Sequence, residues 1–251
     1  MKILAIPNWN GHLYLQEYND KSILTLYNKI KFKNKSIIKT IKNDISQTNK
    51  IIFKEFLNHY KQNNFILTIA GDHSNTYPII NAIQKEGKEF NLIIFDAHPD
   101  VEKDNGIPSH EDYLRCLIKN KKIIPKNIYI FGIRTFSRIE FEYLEKNNIK
   151  YFTITDILKD INSIKKILEN IKGKNYLSID IDVLDPKYAP GTYYKEHCGL
   201  KIEELLELIK IILPKTISTD IVEYYLENDD KNQTTLKNIL KIINFIIKNK
   251  Q

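Results

Sequence analysis

Apolar residues in this chain fall into two alternating kinds of stretch. Short runs rich in Ile, Leu and Phe occur at Met1 to Pro7, 65–70, 91–96, 128–131, 150–154, 176–183 and 216–222. Their length and β-rich composition predict buried strands. Between them apolar residues return with near-helical spacing, as in Ile51, Ile52, Phe56 and Leu57, which predicts helices. These helices are expected at 51–60, through Ile79, Ile80 and Ile83, and at 110–119, 137–147, 156–171, 201–212 and 233–248. Residues 8–48 carry no clear period beyond a hint of a short helix at Ile37, Ile38 and Ile41. Alternation of strand and helix implies an α/β class, a mostly parallel sheet covered by helices on both faces. No repeat, low-complexity tract or linker interrupts it, so one domain is expected over 1–251.

In such sheets ligands bind beyond the carboxyl ends of the strands. The acidic and histidine clusters fall there: His73 after the strand at 65–70, Asp96-Ala97-His98-Pro99-Asp100 after 91–95, Asp180 and Asp182 in 176–183, and Glu223 after 216–222. On an extended chain Asp96, His98 and Asp100 share one face, and Asp180 and Asp182 share another. Four converging carboxylates in a crevice are costly unless compensated, and two divalent cations balance them formally. Oxygen-rich ligation with a minority of nitrogen points to Mn²⁺ or a similar ion rather than structural zinc. A paired site of this kind can hold and deprotonate a water. Asp72, Asp185 and Asp220 read as turn, cap or supporting groups. His197 and Cys198 read as loop residues whose position leaves contact with a substrate open, and for Arg134, after a strand, a structural role outweighs electrostatic support of the acidic site.

Composition narrows the partners. The net charge is +7, but the lysines are dispersed along the whole chain, which reads as solvated faces and not as a nucleic-acid groove. No apolar run reaches the length of a membrane span, and Met1 to Pro7 is too short for a signal peptide. Two cysteines, Cys116 and Cys198, without zinc-ligand spacing, fit a reducing cytoplasm.

Four segments together resemble the motifs of the ureohydrolase family, the arginases and agmatinases, in the family's order. They are Ala70-Gly71-Asp72-His73-Ser74, Asp96-Ala97-His98-Pro99-Asp100, Ser178-Ile179-Asp180-Ile181-Asp182-Val183-Leu184-Asp185-Pro186 and Asp220-Ile221-Val222-Glu223. The resemblance implies a three-layer α/β/α fold, two Mn²⁺ ions, and hydrolysis of a guanidino group to urea and an amine. It implies that His73 and Asp100 bind one manganese and His98 and Asp182 the other, with Asp96 and Asp180 bridging. It also implies that Glu223 pairs with the guanidinium and that His110 handles protons.

The chain departs from the family pattern at Ala70, at Glu111 and Asp112 after His110, and in Gly191–Leu200, which lacks the Gly-Thr-Pro core. Segments Gly71–Pro78 and Asp185–Thr192 resemble agmatinases more closely than arginases. The loop from Asp100 to His110 carries Glu102 and Asp104 and lacks the Asn/Ser/Thr-rich stretch with which arginases hold an α-carboxylate. A small guanidino substrate is therefore expected, agmatine first, without a nucleic-acid or membrane partner and with homo-oligomerisation left open. The alternatives are an arginase, a peptidyl-arginine ureohydrolase, a formimidoyl hydrolase or a non-catalytic metal-binding relative.

Overall fold

The computed structural model describes residues 1–14 and 20–250. Eight strands form one sheet: β1 (Lys2–Ile6), β2 (Lys35–Ile37), β3 (Ile66–Ala70), β4 (Asn91–Phe95), β5 (Ile128–Ile133), β6 (Lys150–Thr153), β7 (Asn175–Asp180) and β8 (Thr216–Val222). Their order is β2-β1-β3-β8-β7-β4-β5-β6, and every pairing is parallel, where the sequence led us to expect a mostly parallel sheet.

The period of two along the strands feeds two separate cores. Ile3, Leu67, Ile69, Ile93 and Phe95 pack on one face under α1 (Lys21–Lys29), α6 (Ile154–Lys159), α7 (Ile161–Asn170), α8 (Ile202–Ile212) and α9 (Thr234–Lys250). Leu4, Ile6, Ile66, Leu92 and Ile94 pack on the other under α2 (Ile45–Gln62), α3 (Thr76–Lys85), α4 (Tyr113–Lys119) and α5 (Arg138–Lys146). The result is the expected three-layer α/β/α arrangement. Among the described residues no helix is long and apolar enough to cross a membrane.

Several boundaries differ from the pattern-based expectation, each for a local reason. The hint of a helix at Ile37 to Ile41 is overturned: 35–37 forms edge strand β2, paired with Ile3 to Ala5. The helix expected over 156–171 is two helices, because Asp160 caps the second by accepting from Ser163 N at 3.1 Å. Helix α2 starts six residues early because Asp44 accepts from Gln47 N, and its polar first turn hides it from a hydrophobic count. Strand β7 stops at Asp180, where Asp180 Oδ1 accepts from Asp182 N at 2.8 Å and turns 181–183 into a 3-10 turn.

Candidate metal centre and substrate pocket

Strands β3, β8, β7 and β4 are neighbours in the middle of the sheet and run parallel, so their carboxyl ends lie side by side. Each end releases one polar segment: Asp72-His73 from β3, Glu223 from β8, Asp180 to Asp182 from β7, Asp96 to Asp100 from β4. Four motifs scattered over 150 residues thus meet at one edge. Two of the side chains depend on left-handed backbone, Asp100 at φ 51° and Glu223 at φ 65°. Neither is glycine, and such strain clusters where side-chain direction matters to function.

The side chains form two groups that share Asp96. His73 Nδ1 lies 2.9 Å from Asp100 Oδ2, 3.0 Å from Asp96 Oδ2 and 3.4 Å from Asp180 Oδ2. His98 Nδ1 lies 3.0 Å from Asp182 Oδ2 and 3.7 Å from Asp96 Oδ1. Extended geometry past the strands does not produce this, since β4 ends at Phe95 and β7 at Asp180. Turn hydrogen bonds do so instead: Asp96 Oδ1 accepts from His98 N at 2.7 Å, and Asp182 Oδ1 from Ala97 N at 3.0 Å.

The hydrogen bonds behind His73 suit the cluster to cations. His73 Nε2 contacts Ser178 Oγ at 2.9 Å, and Ser178 Oγ donates to Asp220 Oδ1 at 2.6 Å. Ser178 therefore accepts from His73 Nε2–H, which turns Nδ1 toward three carboxylate oxygens. His73 Nδ1 and Asp96 Oδ2 are buried without a hydrogen-bond partner. Burial lowers His73, but Tyr113 and the hydrogen bonds to Asp100, Asp180 and Asp96 raise it well above its ordinary value in the metal-free chain, and a divalent cation can take the place of the proton those carboxylates hold. The titration behaviour of the metal-free chain points the same way. Burial and the charge of Asp96 push Asp100 up to about 8. Burial with the charges of Asp182 and Asp96 raises Asp180 well above the carboxylate range, and burial with Asp72 does the same to Glu223. Burial opposes ionisation of Asp182, but His98 and Arg134 bring it down to about 2.

A cavity of about 790 Å³ opens over this cluster, lined by His98, Asp100, Asp180, Asp182, Glu223 and His110. Glu223 Oε1 accepts from His73 N at 2.7 Å. Asp220 is a supporting group, accepting also from Thr76 Oγ1 and Tyr176 OH, and Asp72 and Asp185 accept turn N–H groups, as expected. Arg134 donates to the carbonyls of Asp182, Val183, Leu184 and Glu196, so it both supports the charge and ties down the cavity wall.

Of the two loop carboxylates, Asp104 accepts from Lys119 Nζ and Gly106 N and does not line the cavity, while Glu102 does, beside Lys103 and Asn105. His197 and Cys198 are loop residues and do not line the cavity, whose wall in that segment is made by Thr192, Tyr193, Tyr194 and Glu196. Motif reading missed Glu196, whose Oε1 lies 3.8 Å from His98 Nε2, along with the rings of Tyr14, Tyr193 and Tyr194. The bulky Tyr193-Tyr194 pair in the departing segment was the available signal.

Comparison with known proteins agrees with this geometry. The model of the arginase family matches residues 11–247. The agmatinase of Halalkalibacterium halodurans is 35% identical over 176 residues, covering 67% of this chain and 58% of that protein. The arginase of Staphylococcus aureus strain COL is 32% identical over 193 residues, covering 68% and 63%. These alignments thus span less than two thirds of either relative. The crystal structure of formimidoylglutamase from Bacillus subtilis superposes with a TM-score of 0.89 at 23% identity, covering 99% of this chain and 86% of that one. That likeness establishes the shared fold.

Proposed function

Since the chain belongs to the arginase family, we propose that it hydrolyses a guanidino C–N bond to urea and an amine, with agmatine as preferred substrate and two Mn²⁺ ions as cofactor. The observation that carries this reading is the sharing of Asp96 between His73 and His98, each imidazole turning Nδ1 toward carboxylates. His73 and Asp100 would hold one cation and His98 and Asp182 the other, with Asp96 and Asp180 between them. Bound there, the pair supplies Lewis acidity and lowers the pKa of a water.

The remaining roles belong to the chain itself. Glu223 offers a buried carboxylate to a planar guanidinium, and because Oε1 already accepts from His73 N, Oε2 is left for the substrate. His110 lines the same cavity, and an imidazole can carry a proton to the departing amine. The rings of Tyr14 and Tyr194 and the carboxylates of Glu102 and Glu111 also line the cavity, and these carboxylates outnumber the single lysine there, Lys103. π faces and carboxylates attract a second cation and repel a substrate carboxylate, which favours agmatine over free arginine. The free thiols Cys116 and Cys198 support a cytoplasmic setting.

The test is urea release with added Mn²⁺ from agmatine, arginine and an arginine-containing peptide, with formamide release from N-formimidoylglutamate in parallel. Urea from agmatine at the highest kcat/KM is expected. Activity only on the formimidoyl compound, or on none, overturns the proposal.

A further inference from the structure

Residues 11–14 wrap around His110 in a way the four motifs do not account for. His110 N donates to Gly11 O at 3.0 Å, and Leu13 N donates to His110 Nε2 at 3.4 Å. Between these two contacts the His12 ring stacks on His110, with centroids 4.2 Å apart and planes 20° apart. His12 is buried and held from outside by Tyr193 at 4.5 Å and Tyr194 at 6.2 Å. Its Nδ1 accepts from Tyr14 N at 3.3 Å, and its Nε2 is buried without a partner.

Two successive backbone N–H groups therefore each donate to one imidazole nitrogen. A nitrogen that accepts carries no proton, so His110 keeps its proton on Nδ1 and His12 on Nε2, both rings neutral. Protonating His110 at Nε2 would set N–H against the Leu13 N–H, beside a second imidazole at stacking distance. We infer that His12 is a positioning residue for His110: with the Leu13 N–H it holds the ring flat against the cavity in its neutral, Nδ1-protonated form. This rests on reading the site as hydrolytic, where a proton carrier must start unprotonated and release its proton readily.

The other groups around the pair do not reverse this. Burial lowers His110 well below its ordinary value, and His12, His73 and His98 add to that, against a smaller pull from Asp182. Glu111 Oε1 lies 3.8 Å from His110 Nε2 but shares its charge with Tyr14, whose hydroxyl it bonds. Tyr14 and Tyr194 meet the His110 ring at 6.1 Å and 6.2 Å as neutral phenols. Burial also brings His12 down to about 4.

The experiment is an imidazole ¹⁵N NMR titration of the whole chain loaded with Mg²⁺, a diamagnetic ion, in wild type and His12→Phe. Phenylalanine keeps the stacking plate and removes the second imidazole. Wild-type His110 should show the Nδ1–H tautomer across neutral pH, and in His12→Phe its titration should move up by about one pH unit. Kinetically, His12→Phe should shift the acidic limb of kcat the same way with KM nearly unchanged, and His12→Ala should lower kcat about tenfold. An Nε2–H tautomer in wild type, or an unshifted titration in His12→Phe, overturns the inference. The NMR measurement needs no substrate, so it stands even if the chain hydrolyses no guanidine, and the wild-type tautomer decides the matter even if a variant fails to fold.

Discussion

Ser178 donates its hydroxyl to Asp220 at 2.6 Å and thereby becomes an acceptor for His73 Nε2, 2.9 Å away. This chain of bonds orients His73 and fixes its tautomer from behind, the usual task of groups one layer out from a metal ligand. Ser178→Ala should weaken metal affinity by about 10–100-fold while leaving the fold intact. Metal content after dialysis against graded chelator, with a circular dichroism spectrum as control, checks it. Unchanged affinity would mean that Tyr113 OH, also 3.0 Å from His73 Nε2, suffices alone.

Removing the metal should expose the charge problem as a pH effect. In the metal-free chain Asp100 holds its proton up to about 8, against 3.8 for the ordinary group. Between those values the folded state binds more protons than the unfolded state, so stability falls as pH rises through the window. Thermal melts in EDTA should give a higher Tm at about pH 6 than at about pH 8.5, and Asp100→Asn should flatten the difference. Added Mn²⁺ should raise Tm most at the higher pH, where the carboxylates are free to bind it. A Tm that rises with pH in EDTA would contradict the argument.

Much of this was legible in the sequence because the strands are short unbroken apolar runs and the chemistry sits directly after them. The residues of the cluster were readable, but their convergence was expected from extended backbone. It arises from Asp96 and Asp180 folding the chain back on their own oxygens. What escaped was long-range and lacked a periodic signature. His12 meets His110 across 98 residues, and Glu196 approaches His98 only because Arg134 gathers the carbonyls of 182–196. Asp104 misled because a loop carboxylate gives no sign in sequence of which cation it will face.

Arg134 should matter for stability as well as charge. Arg134→Met strips several carbonyls of their charged donor and removes a positive charge that, after His98, holds the Asp182 carboxyl low. A loss of about 3 kcal/mol is expected, since hydrogen bonds to charged groups contribute about 1.5–3 kcal/mol each and partial rehydration recovers some. Urea denaturation should show a lower midpoint with an unchanged slope. A midpoint equal to wild type would show that the wall holds without the guanidinium.

Gly71 is required by close approach. A Cβ there would fall 2.0 Å from Asn8 O, backbone that cannot yield, and Gly71 O also accepts from Glu223 N at 2.8 Å. Gly71→Ala should cost about 3 kcal/mol or more, or prevent folding. If it folds, Glu223 is displaced and KM for the guanidine should rise. A variant with wild-type stability and KM would refute the close approach.

Substrate choice should be decided by the cavity lining that Tyr14, Tyr194, Glu102 and Glu111 form together with Glu223. A desolvated cation over an aromatic face contributes about 2 kcal/mol, so Tyr194→Leu should raise KM for agmatine roughly 10–30-fold. Free arginine carries its carboxylate at that end and has less to lose, so the agmatine-to-arginine ratio of kcat/KM should fall. Glu111→Gln should lower the same ratio by removing the charge that attracts an amine and repels a carboxylate. Asp104→Asn is the control: Asp104 is engaged with Lys119, so the ratio should not move. A ratio that responds to Asp104 and not to Glu111 would reverse the assignment. A wild-type preference for an arginine peptide over agmatine would show that the cavity selects against the free carboxylate without selecting for the amine.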